Sequence, residues 1–306
     1  AGTFLPVAGS IADWSYAPSW QPGYNYCITA RARAKAGKTQ NIFVINTSSC
    51  TFTYDTTPPG ILIQQPSTTT VRIRNLSVVS GTAADTPPGT PSQVHIRIRR
   101  LAGAQPYWKT DGSGWGESNP ELAWFPVTPN TDWTSWTVSS GTITSGYQYE
   151  YNARALDAAG TYSTAYSTSI TIYDNTPPES GLSFPASGPV ATLRALPIIS
   201  GTALEKTDTA TNLGLVQKVD VILKRLDGAG QYWHPTGGWD VAITTITGSY
   251  VDTYINTSST WSVPGNNLPD PSAGELPGGT SYYVTSSGFD DSSVGGNPEP
   301  FYSVRG

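Results

Sequence analysis

The side chains able to carry redox, acid–base or metal chemistry are few and scattered. Cys27 and Cys50 are the only cysteines, and His95 and His234 the only histidines. Two lone cysteines do not make a tetrahedral metal site, which needs further ligands nearby. No GxSxG, HExxH or phosphate-loop pattern occurs, so a nucleophile, a zinc centre and a nucleotide cradle all lack their sequence marks. His95 falls on the polar side of an alternating segment and His234 follows Tyr232 and Trp233 in a loop, so each reads as a surface or loop residue. The adjacent pair Asp290 and Asp291 has two readings: backbone capping in a turn, or calcium held with backbone oxygens. Catalysis, cofactors and any other metal site are not expected.

The elements that must position these residues are short strands. Gly, Pro or Ser/Thr clusters break nearly every dozen-residue window, while Val, Ile, Thr and Tyr alternate with polar residues at period two. Residues 93–99 (QVHIRIR) place Val94, Ile96 and Ile98 on one face, and 218–224 (KVDVILK) behave likewise. The class is all-β. Cys27 alternates with Tyr26, Ile28, Ala30 and Ala32 on a strand predicted over 24–34, and so points outward; Cys50 sits on the next predicted strand, within 42–54. The two cysteines are expected on one face of one hairpin, which predicts a disulfide and an oxidising compartment, against two unrelated thiols.

The 306 residues carry a formal net charge of −5, which leaves no basic field for nucleic acid. At 37% apolar, with 10 Trp and 17 Tyr, the chain has the material for a packed core. No apolar run approaches the roughly 18 residues of a membrane span. With no Met anywhere and Ala1 first, the chain is expected to be processed, or part of something longer.

Internal repeats organise it. YDTTPP at 54–59 returns as YDNTPP at 173–178, SGTA at 80–83 returns at 200–203, and RRLAGAQPYW at 99–108 returns as KRLDGAGQYW at 224–233. An apolar–Gly–Tyr spacing occurs three times, as Trp20/Gly23/Tyr26, Ile143/Gly146/Tyr149 and Leu276/Gly279/Tyr282. These marks predict full modules over 60–178 and 179–306, preceded over 1–59 by the second half of a module. The Thr-Pro-Pro pairs read as stiff connectors, because consecutive prolines cannot continue a ladder.

Seven alternating strands per module resemble an immunoglobulin-like or fibronectin-III-like sandwich, and the apolar–Gly–Tyr spacing resembles its tyrosine corner at Tyr26, Tyr149 and Tyr282. The run of SGTAAD, VHIRIRR…YW, YNARALDAAG and DNTPP resembles the tandem Ig-like repeats of large bacterial secreted and cell-surface proteins. That resemblance implies a non-enzymatic, extracellular or cell-surface rod, serving as stalk, adhesin shaft or filament, with a homopolymer or adjacent modules as partners. The last module departs from the pattern, with FDDSSVGG in place of LDAAGT and no closing Thr-Pro-Pro.

The alternative is a carbohydrate-binding array. Trp115 and Trp239, set among Gly and Ser, are the candidates for an exposed sugar-stacking surface, whereas Trp108 and Trp233 read as core. Sequons at Asn46, Asn75 and Asn256 offer glycan acceptors. Half a sandwich over 1–59 would leave Tyr26, Ile28 and Ala30 facing a missing sheet, so a preceding segment or another chain is expected to complete it, unless residues 3–15 supply the extra strands.

Overall fold

A computed structural model describes residues 4–10, 12–67, 72–102, 107–186, 192–205, 214–228, 230–250, 259–291 and 296–301. The Asn256 sequon lies outside them.

The described residues of 60–178 hold eleven strands: β5 (Gly60–Gln65), β6 (Arg72–Ile73), β7 (Val78–Ala84), β8 (Pro91–Arg100), β9 (Tyr107–Trp108), β10 (Trp115–Glu117), β11 (Phe125–Pro126), β12 (Thr128–Pro129), β13 (Trp136–Ser139), β14 (Tyr147–Asp157) and β15 (Ser167–Tyr173). They follow a first group near the N-terminus, β1 (Ala8–Gly9), β2 (Trp14–Ser15), β3 (Tyr24–Thr29) and β4 (Ser49–Tyr54). Two sheets form from the eleven, one ordered β12-β13-β7-β5 and one ordered β10-β9-β8-β14-β15-β6, with β11 also pairing with β8. Alternation along β8 turns Val94, Ile96 and Ile98 inward, and their antiparallel partners on β14 are Ala155, Ala153 and Tyr151, so two branched side chains meet alanines and Ile98 packs beside the Tyr151 ring. The facing sheet supplies Ile63, Val79, Ala83 and Trp136, and the two sets close one core. This is the all-β sandwich of the Ig and fibronectin-III kind.

Glycine makes room for a core indole in each full module. Trp136 on β13 stands opposite Gly81 on β7, fully buried, in a space that a side chain at position 81 would fill. The SGTA motif therefore marks where an indole lies flat on bare backbone, and its return at 200–203 places Gly201 opposite Trp261. On the outer face, Arg97 and Arg154 lie 4.6 and 4.3 Å from the Trp124 ring, covering polar alternation with cation–π contacts.

The region 179–306 repeats the plan with β16 (Glu179–Phe184), β17 (Ile198–Leu204), β18 (Val216–Arg225), β19 (Tyr232–His234), β20 (Gly238–Asp240), β21 (Ile246–Tyr250), β22 (Ser259–Pro264) and β23 (Tyr282–Asp290). Here β21 pairs with both β18 and β22, which joins the two sheets along one edge. Ile199, Val219, Val221, Trp233, Trp261 and Val263 form its core.

The N-terminal region is thinner. β3 and β4 form a two-stranded sheet, and β1 pairs with β2 rather than with either of them. Residues 3–15 thus do not extend the β3–β4 sheet among the described residues; Thr3 and Ile11 lie outside those. Trp20 packs edge-on against Tyr26 and Phe52, a small aromatic cluster in place of a core. The strands are shorter than the predicted 24–34 and 42–54: Ile42, Phe43, Val44 and Ile45 lie exposed before a turn in which Asn46 takes a φ of 64°.

The expected disulfide is corrected by register. Cys27 pairs with Thr51, and Cys50 with Ile28, so the two cysteines are one step out of alignment and project to opposite faces of the ribbon. Both are exposed free thiols.

Candidate functional site

Each connector brings three carboxylates together. Asp55, immediately after β4, meets Asp85 at the end of β7 and Asp157, the last residue of β14. One repeat later Asp174, immediately after β15, meets Glu205 at the end of β17 and Asp290, the last residue of β23. In both groups one carboxylate oxygen from each residue lies within 4.8 Å of the other two. Strand ends explain the convergence: β7 and β14 in one module, and β17 and β23 in the next, terminate at the edge where the connector enters. The final connector proline, Pro59 or Pro178, is buried there.

Close approach is permitted by a glycine at each junction. A Cβ on Gly89 would come 2.2 Å from Asp55 Oδ2, and one on Gly214 would come 2.4 Å from Asp174 Oδ2. The second site is the more enclosed, with Asp174, Glu205 and Asp290 all buried, whereas in the first only Asp157 is.

Hydrogen bonds satisfy one side of several carboxylates. Asp55 Oδ1 accepts from the Thr57 amide at 2.9 Å, Asp157 Oδ1 from the Thr161 amide at 2.7 Å, and Asp174 Oδ1 from the Thr176 amide at 3.2 Å. Asp290 accepts from the backbone amide and from Nδ2 of Asn297. The Oδ2 atoms of Asp85, Asp157 and Asp174 are buried and accept no hydrogen bond. Burial, with the charges of Asp290 and Asp291 added, pushes Asp174 up to a pKa of about 6. Burial also raises Asp85, helped by the charges of Asp55 and Asp157.

Asp291 takes a different role from its neighbour. Its carboxylate pairs with Arg72 of the preceding module at 2.7 Å. Burial raises its pKa and Arg72 pulls against that shift. The adjacent pair is therefore divided, Asp290 entering the acidic triad and Asp291 bridging the junction. Arg74 Nη1 donates to the Gly296 carbonyl and Asn297 Nδ2 to the Asp174 carbonyl at 2.9 Å, adding two more ties across the same boundary.

The tyrosine hydroxyls sit at the opposite ends of their strands. Tyr149 Oη accepts from the Thr144 amide at 2.8 Å and donates to its carbonyl at 3.1 Å; Tyr26 does the same with Gln21. Tyr282 donates to the Pro277 carbonyl, and proline has no amide to return the bond.

Trp115 and Trp239 do not form an open platform. Both are half-buried: their indole N–H groups donate to Thr142 O at 3.1 Å and Glu275 O at 2.7 Å, and their rings pack on Tyr149 and Tyr282. Partial burial at a repeated position is the packing role expected of Trp108 and Trp233. His95 leans on Tyr162, and His234 Nε2 lies 3.0 Å from the Ala242 carbonyl; neither approaches a triad.

Five of the six triad residues lie outside the set singled out from sequence. The available signal was an acidic residue at three repeat-equivalent places: after SGTA plus one residue, inside the YDxTPP connector, and eight residues beyond the corner tyrosine.

Neither a protein-family model nor a curated protein matches the chain. Among solved structures it is similar to the FN1–FN3 domains of chicken CNTN1, at 10% identity and a TM-score of 0.31, over 83% of this chain and 69% of that one.

Proposed function

We propose that the chain is a non-enzymatic structural segment of an extracellular Ig-like array, a building block of a fibre, stalk or adhesin shaft. The observation that carries this reading is the junction between 60–178 and 179–306. Arg72 to Asp291, Arg74 to the Gly296 carbonyl and Asn297 to the Asp174 carbonyl join the two modules across a proline-stiffened connector. A connector held by side-chain bonds on both sides resists bending, which is what a shaft requires and a tether does not.

The exposed apolar residues of the N-terminal region fit the same role. Ile28 on β3 is exposed, and β3 has one paired edge and one open edge among the described residues. In 60–178 the equivalent strand β14 has β8 along that edge. A strand like β8, from an adjacent module or from a second copy, would complete the sheet by strand addition.

Small-angle scattering of the whole chain tests the reading. An elongated particle with the two full modules end to end is expected, and a compact particle with modules folded side by side would overturn it. Glycan-array binding abolished by Trp115→Ala in a still-folded protein would instead favour the carbohydrate-binding alternative.

A further inference from the structure

We propose that each triad, Asp55–Asp85–Asp157 and Asp174–Glu205–Asp290, binds one calcium-class divalent cation, so that the chain carries two ion-locked junctions. The donors are carboxylate oxygens throughout, a set that suits hard cations rather than zinc or copper. Three oxygens no more than 4.8 Å apart surround a point at most about 2.8 Å from each, which admits the roughly 2.3–2.6 Å of calcium coordination. A set of three protein carboxylates suits calcium better than magnesium, which usually keeps several waters and takes only one or two carboxylates.

Carboxylates gathered together do not by themselves make a site; the unpartnered oxygens point to one. Asp157 is 1% exposed and Asp174 0% exposed, yet Oδ2 of each accepts no hydrogen bond, and each residue has a carboxylate oxygen within 4.8 Å of those of its two triad partners. Asp174 Oδ2 and the Glu205 carboxyl both crowd the space where a Cβ on Gly214 would lie. A buried ionised oxygen without a partner is costly, and two like charges beside it add to that cost. A bound cation removes both penalties at once. The same arrangement, glycine included, is built at both junctions from repeat-equivalent residues. At the matching place in the N-terminal region the acidic residue is replaced: Ala34, exposed, stands eight residues beyond Tyr26, where Asp157 and Asp290 stand beyond Tyr149 and Tyr282.

The ion would join a connector residue, Asp55 or Asp174, to two strand ends of the following module. Its removal leaves three like charges at the hinge, so junction stiffness follows calcium. Ion binding itself does not depend on the array reading, and its failure would leave that reading in place.

The test is calorimetric titration of the whole chain, stripped with EGTA, with calcium chloride. Two ions per chain are expected, with a raised unfolding temperature and at least tenfold weaker binding of magnesium. Asp157→Asn and Asp174→Asn should each reduce the stoichiometry to one. Asparagine keeps an oxygen for the Thr161 or Thr176 amide and removes a repelling charge, so both variants should unfold in EGTA at or above the parent temperature and lose only the gain given by calcium. No binding up to about 10 mM, beyond the range of extracellular calcium modules, would overturn the proposal. So would two ions retained in either variant, equal affinity for magnesium, or variants destabilised equally with and without calcium.

Discussion

Trp136 lies across the β7–β13 pair from Gly81, with its ring where a side chain at position 81 would be. A Cβ there would come 2.0 Å from the Leu62 carbonyl oxygen and 2.4 Å from Trp136 Cζ2, and the carbonyl cannot retreat without opening the β5–β7 ladder. Gly81→Ala should therefore cost about 3 kcal/mol through overpacking. Gly201→Ala, with 1.8 Å to the Gly181 carbonyl and 2.6 Å to Trp261 Cζ2, should behave alike. Gly60→Ala, 3.6 Å from its nearest neighbour, should change stability by no more than about 0.5 kcal/mol. Urea unfolding followed by tryptophan fluorescence measures all three.

The three tyrosine hydroxyls should rank by what they bond and where. Tyr149 is fully buried with two backbone bonds, so Tyr149→Phe strands an amide and a carbonyl at Thr144 and should cost about 1–2 kcal/mol. Tyr26 makes the same pair of bonds in an exposed setting where water replaces them, and Tyr282 makes one long bond to a proline carbonyl. Their phenylalanine variants should each cost less than that of Tyr149. Equal losses at all three in denaturant melts would contradict the ranking.

Much of the fold was legible because burial in a sandwich imposes period two. The alternation at 93–99 maps onto a strand whose inward residues are those read from the pattern, and both copies of SGTA fall within strands. The N-terminal region was harder. Ile42 to Ile45 has the composition of a strand, but composition cannot say whether a partner sheet is present to pair it, and here it lies outside any strand. The disulfide expectation failed on a single residue of register, which turn geometry decides and spacing does not. The triads were hidden for another reason: their members come from three strand ends more than a hundred residues apart at the extremes, from Asp55 to Asp157 and from Asp174 to Asp290. Only the return of acidic residues at matched repeat positions marks them.

The cysteines give a chemical check on that register. Cys27 and Cys50 point to opposite faces and both are exposed, so each should react with iodoacetamide in native buffer. Two labels per chain by intact mass, with an unfolding temperature unchanged by reductant, are expected. Zero labels before reduction and two after would indicate that the β3–β4 pairing is one residue out.

Acid should weaken the fold through His95. On the outer face of β8, His95 stands opposite Arg154 on β14 and Pro126 on β11, with the Tyr162 ring beside it and Nδ1 buried without a hydrogen-bond partner. Burial first, and then the Arg154 charge, lower its pKa from 6.5. A histidine whose folded-state pKa is depressed binds fewer protons in the folded state than in the unfolded one, so its contribution is present above pH 6.5 and is lost as pH falls through that value towards the folded-state pKa. His95→Gln removes the titrating group and keeps a polar side chain at the surface. The stability difference between parent and variant, measured in EGTA so that no cation intervenes, should move against the parent as pH is lowered below 6.5. A pH-independent difference would show that His95 is solvated as freely in the folded chain as in the unfolded one.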